Sequence, residues 1–156
     1  MKSAIDGVLN EVLVTLFRKI NMIERLELIN GEFHNISVND MHIMEVIGKA
    51  SKNGCRVTYV AKKLSITAAS VNIAMNALVK KGYISRQRSI KDKRVVMVFL
   101  TEKGKRAFRH HEAFHEHMID GITERISEEE KDLLVKSLTG LTEFFKETEK
   151  KARISK

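Results

Sequence analysis

Asn72, Asn76 and Lys80 recur at intervals of four along one short segment, and Ala69 and Ile73 share their side if Val71, Met75 and Leu78 face a core. An asparagine amide can bond both polar positions of an adenine edge, and an exposed isoleucine beside it can meet a thymine methyl group. Thr67 is placed to cap this segment. The small residues Ala68, Ala69 and Ser70 let its N-terminal end approach a phosphate or a base edge closely. The plainer reading of the same face is a solvated Asn76 and an Ile73 packed beneath the following hairpin. Further along, Arg86, Arg88, Lys91, Lys93 and Arg94 crowd a stretch whose sole acid is Asp92. An arginine at a hairpin tip can enter a narrow minor groove, where the potential is most negative. Asp92 is spaced to brace the arginine two residues on. Exposed hairpin tips are commonly charged, so these cations carry weight only together with the segment before them.

A second set of residues could bind metal. Four of the six histidines, His110, His111, His115 and His117, fall within eight residues. His111 and His115 share a helical face, as a ligand pair would, with His42 as a third ligand and Glu24 as a fourth. The same imidazoles also read as helix-surface groups, as core polar groups, or as the lining of an acyl pocket. No cysteine-rich spacing supports zinc. Cys55 is the single cysteine, which excludes an internal disulfide framework and fits a reducing compartment. There is no glycine-rich phosphate loop, no Gly-x-Ser-x-Gly elbow and no pair of carboxylates in a likely cleft, so an enzyme is not expected. Nine aromatic residues, most at core-like positions, are too few for a sheet that stacks RNA bases.

The elements that must position these groups belong to a chain of 156 residues, about the length of one domain with one core. Hydrophobic residues make up 43% and charged residues 31%, ordinary for a folded protein and too apolar for a disordered one. The net charge of +8 hides an asymmetry. From Lys49 to Arg109, sixteen Lys and Arg stand against Asp92 and Glu102 alone, while the flanks hold 12 basic and 18 acidic residues. So one-signed a block repels itself unless a polyanion neutralises it, and nucleic acid is the commonest such partner, double-stranded DNA being the one expected once the winged pattern below is added. Mere solubility is the bland alternative. The longest apolar run, Val95 to Leu100, is far short of the roughly twenty residues of a membrane span. Lys2, Asp6 and Glu11 interrupt the place where a signal peptide needs its apolar stretch. The expectation is a cytoplasmic protein that does not bind membranes.

Ile5, Leu9, Val12, Leu16, Ile20, Ile23 and Leu26 predict one long helix over 3–30, stopped at Asn30-Gly31. Ser37 and Asp40 form a capping-box pattern ahead of a second helix whose apolar face is Met41, Met44, Val46 and Ile47. After the Asn53-Gly54 turn, Arg56-Val57 reads as a short strand and Tyr59 to Leu64 as a short helix. Ser65-Ile66-Thr67 is a tight link to a fourth helix ending near Lys81, before Gly82. Ile84–Ile90 and Arg94–Leu100 then read as two strands, with Lys91-Asp92-Lys93 at the tip. A fifth helix follows from Thr101 to about Ile122. Ser127 and Glu130 open a sixth, striped by Leu134, Leu138, Leu141 and Phe145, and the basic tail from Lys150 is expected to fray. Two helices joined by a tight turn and followed by a hairpin make a winged helix-turn-helix, here within 37–101. The expected class is mainly α (α+β). The first and sixth helices carry more apolar surface than one small winged domain can cover, and symmetric pairing would bury it.

Leu78-Val79-Lys80-Lys81-Gly82-Tyr83-Ile84, the tip Asp92-Lys93-Arg94, Leu100-Thr101-Glu102-Lys103-Gly104 and Ile126-Ser127-Glu128-Glu129-Glu130 resemble, in order and spacing over nearly the full length, the MarR (multiple antibiotic resistance regulator) winged-helix transcription factors. The resemblance implies a single domain over 1–156 and a bacterial, cytoplasmic regulator. It implies a homodimer interlocked through helices at 3–30 and 105–150, with two recognition helices reading an inverted repeat. It also implies that Arg94 enters the minor groove, with Lys93 able to share that role, since the tip is Asp-Lys-Arg where the family often has Asp-Arg-Arg. Asp40-Met41-His42, Val46-Ile47-Gly48 and the neighbourhood of Phe114-His115 look most like the fatty-acid-synthesis repressors of Gram-positive bacteria. In that branch a long-chain acyl group on acyl carrier protein is the corepressor. Zinc-sensing members of the family build their site from the first, second and fifth helices, which keeps Glu24, His42, His111 and His115 open as an alternative. Peroxide-sensing members place a reactive cysteine near the N-terminal helix, where this chain has none.

Overall fold

The computed structural model describes residues 4–154. The chain runs α1 (Ala4–Asn30), α2 (Val38–Gly48), α3 (Val57–Leu64), α4 (Ala68–Lys80), β1 (Ile84–Arg88), β2 (Val96–Leu100), α5 (Glu102–Thr123) and α6 (Glu128–Ile154). The predicted start of α1 at Ser3 lies outside the described residues. Two compact units divide the chain after His111.

The first unit holds the core. Met41, Met44, Ile47, Val60, Val71, Met75, Leu78, Tyr83 and Val98 are buried where α2, α3, α4 and the strand pair meet. Ile43 is buried as well, outside the stripe that the sequence marks, whereas Val46 is only half-buried. The cause is the number of neighbours: α2 packs against α1, α3, α4 and β2, so its buried arc is wider than one stripe.

Local chemistry sets the boundaries. Ser37 and Asp40 close the expected capping box, Ser37 N–H donating to Asp40 Oδ2 at 3.0 Å and Asp40 N–H to Ser37 Oγ at 3.1 Å. Ser65 ends α3 in the left-handed region with φ 56°, and Gly82, φ 78°, turns the chain out of α4. Arg56-Val57, predicted as a strand, is instead the start of α3: Arg56 is its extended N-cap and Val57 its first residue. The pairing falls one residue earlier. Cys55 donates to the Val98 carbonyl at 3.1 Å and accepts from Val98 N–H at 2.8 Å, and the chain turns straight into helix.

β1 and β2 pair antiparallel from Ile84↔Leu100 to Arg88↔Val96, shorter than the predicted strands. Ser89 N–H adds one bond to the Val95 carbonyl at 2.8 Å, and residues 90–94 curl away because Asp92 accepts from Arg94 N–H at 3.0 Å. Tyr83 anchors the base of the hairpin. Its hydroxyl donates to Asn35 Oδ1 at 2.7 Å, and the Lys103 ammonium sits 4.2 Å from its ring centre.

The second unit contains the end of α5, a short link and α6. Ser127 and Glu130 form the second capping box, with Ser127 N–H to Glu130 Oε2 at 2.7 Å and Glu130 N–H to Ser127 Oγ at 3.3 Å. Past Lys150, where fraying is expected, α6 runs on to Ile154. Glu143, Lys146, Glu147, Glu149, Lys150 and Lys151 are strong helix formers, and Glu143 pairs with Lys146 one turn away. Among the described residues, α6 buries none, and α1 buries only Glu24 and Leu28. No helix among the described residues is long and apolar enough to cross a membrane.

Candidate nucleic-acid interface

α4 turns its two faces as its residue spacing requires. Val71, Met75 and Leu78 are fully buried, while Ala69, Asn72, Ile73, Asn76 and Lys80 are exposed. Ile73 is 73% exposed and does not pack under the hairpin. The N-terminus of the helix is organised by Thr67, whose Oγ1 accepts from Ser70 N–H at 3.1 Å and lies 2.8 Å from Ser70 Oγ. Asn76 has no side-chain hydrogen-bond partner among the described residues, so both ends of its amide are available. Asn72 differs: Arg86 Nη2 on β1 donates to its Oδ1 at 3.3 Å. That bond joins residues on separate elements, and no residue spacing could have announced it.

Arg88, Lys91, Lys93 and Arg94 are exposed around the wing. Asp92 Oδ1 accepts from Arg94 Nε at 3.3 Å as well as from its backbone N–H, the bracing expected from their spacing. The arginine is thereby presented with its stem oriented and its side chain 92% exposed. Recognition helix and wing lie in one unit and inside the cationic block. This surface can meet a phosphate backbone, base edges in a wide groove and a narrow groove at its side.

Three of the four histidine-site residues also come together in the first unit. Glu24 and His111 are each 5% exposed, and their ligand atoms lie within 4.8 Å of one another. His42 Nε2 stands 3.9 Å from Glu24 Oε1, and its ring centre is 5.9 Å from that of His111. His115 follows one helical turn after His111 and belongs to the second unit. Burial disfavours ionisation of Glu45 beside this group, but the hydrogen bond and charge of Lys49 outweigh it and hold the carboxyl below its ordinary range. Cys55 is 6% exposed, and burial pushes its thiol pKa up, the opposite of what a reactive thiolate needs.

Buried helix-turn-helix, exposed reading face and cationic hairpin define the class: a winged helix-turn-helix, the architecture of DNA-binding transcriptional regulators. Residues 27–110 match the family model described as transcriptional regulator SarA/Rot. The chain belongs to this family of MarR-type winged-helix transcriptional regulators. It is 30% identical over 108 residues to the HTH-type transcriptional repressor YetL of Bacillus subtilis (strain 168), across 69% of this chain and 65% of YetL, just under two thirds of that relative's length. The structure of Streptococcus pneumoniae FabT in complex with DNA superposes with a TM-score of 0.86 at 38% identity, covering 90% of this chain and 97% of FabT. A MarR/EmrR family regulator from Acinetobacter sp. ADP1, at 23% identity, shares the fold with a TM-score of 0.72 over 93% of this chain and 99% of its own. The family and these relatives are transcriptional regulators rather than enzymes.

Proposed function

We propose that this chain is a sequence-specific, ligand-responsive repressor that binds an inverted-repeat operator in double-stranded DNA as a homodimer in the bacterial cytoplasm. The observation that carries this reading is the exposed face Ala69, Asn72, Ile73, Asn76 and Lys80 beside a wing of Arg86, Arg88, Lys91, Lys93 and Arg94. Asn76 and Ile73 face the major groove and read base edges. Thr67, Ser70, Lys80 and the wing cations hold phosphates, and Arg94, braced by Asp92, enters the minor groove. Dimerisation is supported by the apolar side chains that α1 and α6 leave exposed, among them Ile5, Val12 and Phe17 on α1 and Leu133, Leu138 and Phe145 on α6. A two-fold pair of reading heads matches a palindromic site.

The effector proposed is a long-chain acyl group carried by acyl carrier protein, acting as corepressor of fatty-acid-synthesis genes. The resemblance of the Asp40–Gly48 and Phe114-His115 segments to the fatty-acid-synthesis repressor branch supports this reading. A second reading, a zinc-responsive regulator, is favoured by the buried carboxylate of Glu24 and imidazole of His111 beside the partly exposed imidazole of His42. Zinc bound at about 2 Å from each ligand would need the Glu24 carboxylate, 3.9 Å from His42 and within 4.8 Å of His111, to draw both imidazoles closer. Two imidazoles and a carboxylate suit that ion. When bound, it would tie α1 and α2 to α5 at His111.

The test is fluorescence anisotropy on the duplex upstream of the chain's own reading frame against a scrambled duplex, across a salt series. Tight binding to the native duplex at physiological salt is expected. Equal and steeply salt-dependent binding to both, unchanged by acylated acyl carrier protein or by zinc added to chelated protein, would leave a nonspecific architectural protein instead. A response to zinc alone would select the second reading.

A further inference from the structure

The tip of the wing holds a residue that neither the cation pattern nor the reading face of α4 uses. Ile90 is 99% exposed, more than any other large apolar side chain among the described residues. Its loop is held by hydrogen bonds on either side. Ser89 N–H closes the hairpin beneath it on the Val95 carbonyl at 2.8 Å, Val95 N–H bonds the Asp92 carbonyl at 2.9 Å, and Asp92 ties Arg94 through both backbone and Nε. Ile90 and Arg94 are the first and last residues of this ordered loop and bracket it.

A β-branched side chain in such a loop has few rotamers to lose and gains nothing from its own chain. Contact between the tips of two copies is opposed by the like charges of Lys91, Lys93 and Arg94. Duplex DNA answers both features at once: phosphates for the cations, and between them the apolar sugar faces that wall the minor groove. Apolar side chains delivered there by a cationic element are an established way to grip that groove. We propose that Ile90 is a DNA-contacting residue that packs against the sugars and base edges of the minor groove beside Arg94.

The inference rests on the DNA-binding reading, and the physics of the two contacts separates them. Arg94 displaces a condensed counterion, so its loss lowers the salt dependence of binding, whereas Ile90 displaces none. The experiment compares the parent chain, Ile90→Ser, Ile90→Leu and Arg94→Ala on the upstream duplex across a salt series, with thermal melting as the control for folding. The expected result is about a tenfold loss for Ile90→Ser with the salt slope of the parent. Ile90→Leu should stay within about twofold of the parent, and Arg94→Ala should lower the slope by about one. Equal affinity of parent and Ile90→Ser overturns the inference and leaves the regulator reading standing. So does a loss accompanied by the lowered slope of Arg94→Ala, because the loop would then have served only to carry Arg94. A parent that binds no duplex overturns both.

Discussion

Arg86 on β1 donates from Nη2 to Asn72 Oδ1 on α4 across 3.3 Å, so wing and recognition helix share a side-chain bond on their exposed sides. Asn72 keeps a second lone pair on that oxygen and both amide donors, so the bond fixes its orientation toward a base edge rather than using up its acceptor. Asn72→Ala and Arg86→Ala should therefore weaken operator binding non-additively, with a coupling of about 1 kcal/mol or less in a double-mutant cycle. Strictly additive losses would mean that the bond has no part in placing either residue on DNA.

Asn76 keeps both ends of its amide available on the same face, one turn beyond Asn72. Asn76→Ala should cost about 1–3 kcal/mol on the operator and almost nothing on a scrambled duplex. A uniform loss on every sequence would assign it to phosphate contact instead.

Gly104, in the first turn of α5, has no room for a side chain. A Cβ there would meet the Tyr83 carbonyl oxygen at 2.0 Å. That oxygen cannot retreat cheaply, because it accepts from both the N–H and the hydroxyl of Thr101, each at 3.0 Å. Gly104→Ala should destabilise the fold by about 3 kcal/mol or more, read as a lowered urea midpoint. An unchanged midpoint would show that α5 can shift away from the base of the wing.

Burial raises the Cys55 thiol above its usual 9.0, and burial together with nearby Glu32 raises the Tyr83 hydroxyl above 10.0. In each case the unfolded chain releases its proton first as pH rises. The stability these groups confer is complete below their unfolded values and is lost as pH climbs through the folded ones. Stability should thus fall on the alkaline side, and Cys55→Ala should flatten the part of that fall nearest pH 9. Cys55 should also react slowly with a thiol reagent at pH 8 until urea unfolds the chain. Fast labelling of the folded protein would contradict its burial.

Much of the reading head is legible in the sequence because its signals are local. A serine three residues before an aspartate, a threonine before three small residues, and apolar residues at 71, 75 and 78 each fix a cap or a face within one or two turns. Asp92 and Arg94 are two residues apart, so their pairing follows from loop geometry. The strand at Arg56-Val57 was misplaced for the converse reason. Whether Cys55 or its successor pairs with Val98 depends on where a distant hairpin lies, and no window around residue 55 contains that information. The burial of Ile43 likewise needed the several neighbours that surround α2.

The order of the main helices and strands, the polarity of α4 and the concentration of cations around the wing follow from periodicity, capping and charge, which act over a few residues. That Arg86 reaches Asn72, that Tyr83 is pinned to Asn35 and capped by Lys103, and that Glu24 meets His42 and His111 depends on packing between distant segments. Those relationships join residues 14 to 87 positions apart, and the chain entropy of bringing them together is overcome only by the shared core on which all of them stand.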